Sequence, residues 1–480
     1  MIPIILGGEK VVTQAKITVM DPGKGKPLNE VSVAGREETR HAIELADQAF
    51  DHFSRLALKE RTKILERAAE IMEKRSEELA RTLTAESGKP IRDARVEVTR
   101  AIHLFRSAAQ EVRLVLEGAT FRVDGYEYPP GNERRMVMSV REPLGVVGAI
   151  LPFNFPANSF AHKVAPNLAV GNTVVVKPST STPITGVLLG EILYEAGLPK
   201  GVLSVLPGGG DTVGAEIVEN RRVKGITFTG STPVGTSIAS KAVTTGKRVM
   251  MEMGGSDPIV VFKDADLERA VSISVRARFE YAGQNCNAGK RILVQEEIYE
   301  KFLKEYVNRV KSLRVGDPMD ESTEMGPVIS ASVVKDLENA VLDSETKGGV
   351  IHRGMAGTGG YYFAPTVVEN ANLDMVIMKR EIFGPVAPIA KFSDWKEAVE
   401  LANSTEYGLQ ASIFTSDLKL ALKMSREIRA GAVIVNDSTR LRWDSLPFGG
   451  VGLSGIGSRE GVRSTMLAMT EEKLISLDLS

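Results

Sequence analysis

Cysteine is almost missing from this chain: 480 residues contain one, Cys286. A lone thiol allows no internal disulfide, which points to a reducing compartment, expected to be the cytoplasm. The five histidines show no zinc-ligand spacing, and neither HExxH nor CxxC occurs, so no metal site is expected. The GxSxG elbow of serine hydrolases and the GxxxxGK[ST] phosphate loop are absent as well. Long hydrophobic runs are lacking. "LGVVGAILPFNF" (144–155) is too short and too broken by Gly and Pro to span a membrane, and "MIPIILGGEK" lacks the basic flank and apolar length of a secretory signal. Charge of one sign is not in excess either, with 60 basic against 61 acidic residues. That balance argues against a nucleic-acid surface. The expectation is a soluble chain with neither a membrane nor a nucleic-acid partner.

What is present is ordinary globular composition, 43% hydrophobic and 25% charged, over a length that calls for two or three domains. The first third reads helical, with apolar residues at three- and four-residue intervals in 36–56 and 59–90, the latter ended by Gly88 and Pro90. A third helix follows from 92. Residues 119–142 change to short alternating strands around a Pro-Pro-Gly turn, a hairpin projecting from the body. From 144, buried strands ("GVVGAIL", "NTVVVK", "GVLSVLPG", "VKGITFTG") alternate with helices, which predicts a parallel sheet covered on both faces. A second α/β series runs from about 248 to 435. The tail "EEKLISLDL" reads as a lone strand, available to a neighbouring chain.

Several residues at strand ends could carry chemistry. Gly230 and Gly235 in "FTGSTPVG" suit a backbone that approaches a pyrophosphate, although paired glycines in such turns are structural as often. Lys177 leaves a strand of the same sheet and reads equally well as a surface lysine. Asn154 in "LPFNFPAN" is either a turn former or an oriented amide donor. Glu252 in "MEMGG" is either a general base or a solvated charge. Glu381 and Phe383 precede a Gly-Pro, and Cys286 sits in the polar turn "EYAGQNCNAGKR" rather than on an apolar helix face.

Taken together, "PFNFP", "VVKPS", "FTGS", "EMGG", "YAGQNC", "EIFGPV" and "LPFGG…SGIG" resemble the aldehyde dehydrogenase superfamily in order and spacing over essentially the whole chain. The branch most resembled contains lactaldehyde and non-phosphorylating glyceraldehyde-3-phosphate dehydrogenases. The resemblance implies an α/β fold with a Rossmann-like cofactor-binding domain (1–118 and 143–253), an α/β catalytic domain (254–447), and an oligomerisation hairpin with a C-terminal strand (119–142 and 466–480) that makes a homodimer or homotetramer. It implies Cys286 as nucleophile, Glu252 as general base and Asn154 as oxyanion donor. Pro152, Phe153, Lys177, Ser179, Thr180, Gly210, Gly230, Ser231, Gly235, Glu381 and Phe383 would hold the cofactor. Phe155, Asn285, Asn287, Arg440, Arg442 and Phe448 would meet the substrate.

The expected reaction is oxidation of a small aldehyde through a cysteine thiohemiacetal and thioester, released as the acid by a Glu252-activated water. Resembling enzymes that acylate coenzyme A generally lack this glutamate, so a free acid is expected. A catalytically inactive scaffold would have lost at least one of Asn154, Glu252 or Cys286, and none is lost. NAD-specific relatives often carry a glutamate three residues after the lysine to grip the adenosine ribose. Here that position is Thr180, so NADP is expected ahead of NAD. Polar flanks and two arginines suggest a small hydroxylated or anionic aldehyde. Lactaldehyde or glyceraldehyde leads, ahead of succinate semialdehyde and glyceraldehyde-3-phosphate.

Overall fold

A computed structural model describes all 480 residues. Five parallel strands form the middle of an eight-stranded sheet, in the order Leu203–Val205, Thr173–Lys177, Val146–Ile150, Val223–Thr229 and Arg248–Glu252. The strands read as continuous apolar runs because both faces are covered. Val174 and Val176 enter one core with the helices Leu58–Lys74, Ser76–Ser87, Ile91–Leu116 and Pro156–Val170. Val175 points the other way, into a core shared with the helices Arg36–Ser54 and Thr232–Val243. From Val146–Ile150 the chain winds outward through two strands, then returns to its other side at Val223–Thr229. That reversal is where open α/β sheets leave a crevice at the carboxyl ends of their strands.

The second sheet has seven strands, with Asp257–Val261 and Gly289–Gln295 at its centre and Val386–Phe392 and Gln410–Phe414 beside them. It carries its own apolar core. The antiparallel strand Gly455–Gly457 returns to the first sheet, pairing with Arg248–Glu252, so the chain crosses between the two sheets twice. No helix is long and apolar enough to cross a membrane.

Three local readings change. The opening 35 residues are not helical: Ile4–Leu6 is a strand bonded to Leu203–Val205 and Glu9–Val11, and Lys16–Asp21 pairs with Lys26–Ser32. The first two of these strands are three residues long and show no period of their own, and Ile5 finds its second partner, Val205, about 200 residues downstream. The run 59–90 is two helices, because the chain turns at Arg75, whose N–H bonds back to Ile71 and Glu73. The tail strand is not lone: Thr470–Asp478 pairs antiparallel along its whole length with Arg135–Pro143 of the same chain. The resulting three-stranded sheet leaves Phe121, Met136, Leu474 and Leu477 exposed.

Candidate functional site

The helix Leu267–Phe279 ends in a turn where Tyr281 and Ala282 both adopt left-handed backbone angles (φ 52°). Such conformations are strained for residues with a side chain and persist only where the surroundings enforce them. Tyr281 is fully buried and its hydroxyl donates to the Ser87 carbonyl at 3.0 Å. Gly283 follows at φ +69°, where a Cβ would lie 2.6 Å from the Gly384 carbonyl oxygen. The turn carries Cys286 to the wall of a cavity of about 890 Å³ between the two sheets. Burial pushes the thiol up to about 12, with Glu252 and Asp257 adding to the rise and Lys290 opposing it.

Asn154 leaves the strand Val146–Ile150 and faces this turn. Its Nδ2 donates to the Gln284 carbonyl at 2.8 Å, which engages one of the two amide hydrogens and leaves the other free. The Cys286 N–H makes no backbone hydrogen bond. Lys89, fully buried, donates to the Asn154 carbonyl at 2.8 Å and is ion-paired with Glu97. Glu97 in turn accepts from the first-turn N–H groups of Ala157 and Asn158 at 3.0 and 3.2 Å. The Lys89 ammonium also lies 3.7 Å from the Phe155 ring centre and 4.6 Å from that of Tyr281, a cation–π contact on each side. One lysine thereby ties both the Asn154 peptide and the turn that carries Cys286.

Glu252 ends its strand at the same cavity with one carboxylate oxygen, Oε2, lacking a partner. Burial and the neighbouring Glu460 push it up to about 8. Burial would raise Glu460 too, but Lys163, 2.5 Å away, with His162 and Arg442, holds that carboxyl below the usual range. Arg442 donates to Glu460 at 3.0 Å and to His162 Nε2 at 2.8 Å, and its guanidinium stacks 4.0 Å over the Phe448 ring. Burial, with Arg442 beside it, pushes His162 down to about 4. Arg440 is ion-paired with Glu280, and Arg100 grips Asp444 through two hydrogen bonds.

Along the first sheet, the cavity is walled by Pro152, Phe153, Lys177, Ser179, Thr180, Gly210, Gly230 and Ser231, with Glu381 and Phe383 coming from the second half of the chain. Burial lowers Lys177 to about 8, and its ammonium has only the Pro178 carbonyl at 3.3 Å. Asp211, which the sequence did not single out, shares this wall and is the charge that favours the lysine's ionised form. Phe153 and Phe383 meet edge to face at 5.8 Å. Glu381 Oε1 accepts from Gly255 N–H at 3.1 Å, and a Cβ on Gly254 would fall 2.3 Å from Oε2. A cation, hydroxyls and a carboxylate along one wall are groups that hold ribose and phosphate.

The cavity gathers Cys286, Asn154, Glu252, Phe155, Asn287, Arg440, Arg442 and Phe448 with those residues. Two expected members do not reach it. Asn285 is fully buried and spends its amide on the Glu280 carbonyl at 3.1 Å, bracing the strained turn instead of flanking a substrate. Gly235 lies beneath Met253, whose sulfur would be 2.6 Å from a Cβ there. Sequence reading missed Lys89, Glu97, His162, Lys163, Lys290, Asp444 and Glu460. All are charged or polar groups committed to distant partners, and no local pattern marks such a residue.

The aldehyde dehydrogenase family model matches residues 11–475. A 3-sulfolactaldehyde dehydrogenase of Priestia megaterium is 40% identical, the match covering 99% of this chain and 98% of that protein. A lactaldehyde dehydrogenase of Methanocaldococcus jannaschii is 39% identical over 97% of this chain and 98% of its own length. Among solved structures, glyceraldehyde-3-phosphate dehydrogenase GapN of M. jannaschii, complexed with NADP, superposes with a TM-score of 0.91 at 38% identity, covering 97% of this chain and all of that one.

Proposed function

The chain belongs to the aldehyde dehydrogenase family, and from that premise we propose that it oxidises a short, uncharged hydroxyaldehyde, lactaldehyde or glyceraldehyde, to the carboxylic acid with NADP. The observation that carries this reading is the convergence of Cys286, Asn154 and Glu252 on one cavity whose far wall presents Lys177, Glu381 and Phe383. A thiol at about 12 is almost wholly protonated at neutral pH, and Glu252 at about 8 is the base that receives its proton. The Cys286 thiolate adds to the aldehyde carbon, and the oxygen of the thiohemiacetal gathers negative charge. The free Asn154 N–H and the Cys286 N–H are the donors available to that oxygen, each worth roughly 10²–10³ in rate. When bound, the nicotinamide cofactor supplies the hydride acceptor. Glu252, its carboxylate oxygen Oε2 unpartnered, releases the thiol proton to solvent and, ionised again, takes a proton from the water that cleaves the Cys286 thioester.

The residues present fit such a cofactor. Lys177, Ser179 and Thr180 offer a buried cation and two hydroxyls where a 2′-phosphate would be received, and the space above Gly254 admits the Glu381 carboxylate. Asp211 opposes the phosphate but is exposed, whereas Lys177 is buried, so the field on that wall remains cationic. GapN's binding of NADP supports the same choice.

The substrate inference turns on the arginines. Arg440 and Arg442 each touch a carboxylate, Glu280 and Glu460, and each acid is shared, with Arg276 and Lys163 in turn, so the arginines are braced in ion-pair clusters and neither is held free to close on a phosphate, sulfonate or carboxylate. Measuring kcat/KM for lactaldehyde, glyceraldehyde, succinate semialdehyde, glyceraldehyde-3-phosphate and 3-sulfolactaldehyde, each with NAD and NADP, tests the whole reading. The neutral aldehydes with NADP are expected to lead by about tenfold, or about 1.4 kcal/mol. A lead for a charged aldehyde overturns the substrate, and a lead for NAD overturns the cofactor. We further infer a homodimer or homotetramer, because the three-stranded sheet exposes apolar side chains on both faces, Phe121 and Leu474 on one and Met136 and Leu477 on the other. Sedimentation velocity yielding only monomer at micromolar concentration removes that inference.

A further inference from the structure

Lys290 lies four residues beyond Cys286, at the start of the strand Gly289–Gln295, with its side chain 1% exposed. Its ammonium donates to the Cys286 carbonyl at 2.5 Å and to the Asn285 carbonyl at 2.8 Å, and it is ion-paired with Glu381 at 3.1 Å. It is the one side chain that touches both the nucleophile's own peptide and a carboxylate on the opposite wall of the cavity. We propose that Lys290 is a positioning residue that couples Glu381 to Cys286: it fixes the nucleophile's turn, and its charge, shared with Glu381, sets how readily the thiol ionises.

The electrostatic surroundings support a direct coupling. The ionisable groups bearing on the thiol are Lys290, Glu252, Asp257 and Arg442. Lys290 is the foremost of those that favour the thiolate. Around the ammonium itself, the carboxyls are Glu381 and Asp257. Burial pushes Asp257 up to about 8, so it is mostly neutral at pH 7. Glu381 is therefore the counter-charge that decides how much of the lysine's field reaches the sulfur. Any group that draws the Glu381 carboxylate away, a ribose hydroxyl included, strengthens that field.

This inference rests on Cys286 being the nucleophile, and its test separates the two. Since Cys286 is the only cysteine, the rate of iodoacetamide alkylation of the cofactor-free enzyme at fixed pH reports that thiol alone and rises with its thiolate fraction. Lys290→Met is expected to slow alkylation about tenfold at pH 7, as removal of a nearby opposite charge raises a thiol by about one unit. Glu381→Gln is expected to do the reverse and accelerate it several-fold, because the lysine is then uncompensated. The Lys290→Met/Glu381→Gln double variant is expected to fall between the two. A purely structural role for Lys290 moves all three variants in one direction, and that result overturns the proposal. Should Lys290→Met fail to fold, Glu381→Gln decides alone: alkylation unchanged or slowed refutes the coupling. Enzyme that still turns over after stoichiometric alkylation refutes the nucleophile instead, leaving the measured order of alkylation rates to stand.

Discussion

Lys89 and Lys290 do the same local work in the two halves of the chain. Each is buried, each is paired with a glutamate, and each holds the backbone at the cavity wall, Lys89 through the Asn154 carbonyl and Lys290 through those of Asn285 and Cys286. They differ in where that glutamate spends its remaining capacity. Glu97 is closed inside the protein, bonded to the N–H groups of Ala157 and Asn158. Glu381 keeps 16% of its side chain exposed and stands on the cavity wall. A lysine–glutamate pair sealed on all sides is a brace, whereas one whose acid faces a cavity responds to what enters. A buried ion pair is poor evidence of stability in itself, but losing one partner of a sealed pair is costly.

The largest expected effect follows from that contrast. Lys89→Met strands a buried carboxylate and should cost about 3–5 kcal/mol of stability. Lys290→Met leaves Glu381 open to water through the cavity, so the loss should be nearer 1–3 kcal/mol, mainly from the two freed carbonyls. Denaturation midpoints of the two variants, measured side by side, decide. Equal losses, or a larger one at Lys290, break the distinction between brace and coupler.

How much of this the sequence disclosed follows the same division. Cys286, Asn154 and Glu252 were each ambiguous alone and stood out only because their motifs together resemble those of the aldehyde dehydrogenase superfamily; the structure places all three on one cavity. The alternating strands and helices from 144 onward were legible because both periods repeat within a few residues. The pairs that hold the site were not. Lys89 in "SGKP" marks a helix end, Lys290 in "AGKR" is one more polar residue in a turn, and Lys163 meets Glu460 across 297 residues. Asn285 was assigned to the substrate because of its place beside Cys286. It turned inward because a turn containing two left-handed residues needs an internal donor for the Glu280 carbonyl.

The smaller prediction sharpens the comparison with a carboxylate that has no lysine. Lys163, the one lysine favouring the charged form of Glu252, is paired with Glu460, and Glu252 is left to burial and rises to about 8. A base of that kind works only when deprotonated. The kcat/KM profile of the free enzyme should therefore rise with unit slope to an inflection near pH 8 and level above it, since the thiol keeps its proton until about 12. Falling from pH 8 to pH 6, activity should drop roughly 50- to 100-fold, about 2.3–2.7 kcal/mol. Glu252→Gln should be slow and nearly flat across that window. It should still release a burst of reduced cofactor if a solvent base can take the thiol proton, because the missing glutamate then limits thioester hydrolysis alone. A wild-type inflection near pH 5 would mean that Glu252 is ionised throughout the neutral range. The unpaired carboxylate would then behave like its lysine-paired counterparts, and the contrast between paired and unpaired acids would fail at the residue where it matters most for turnover.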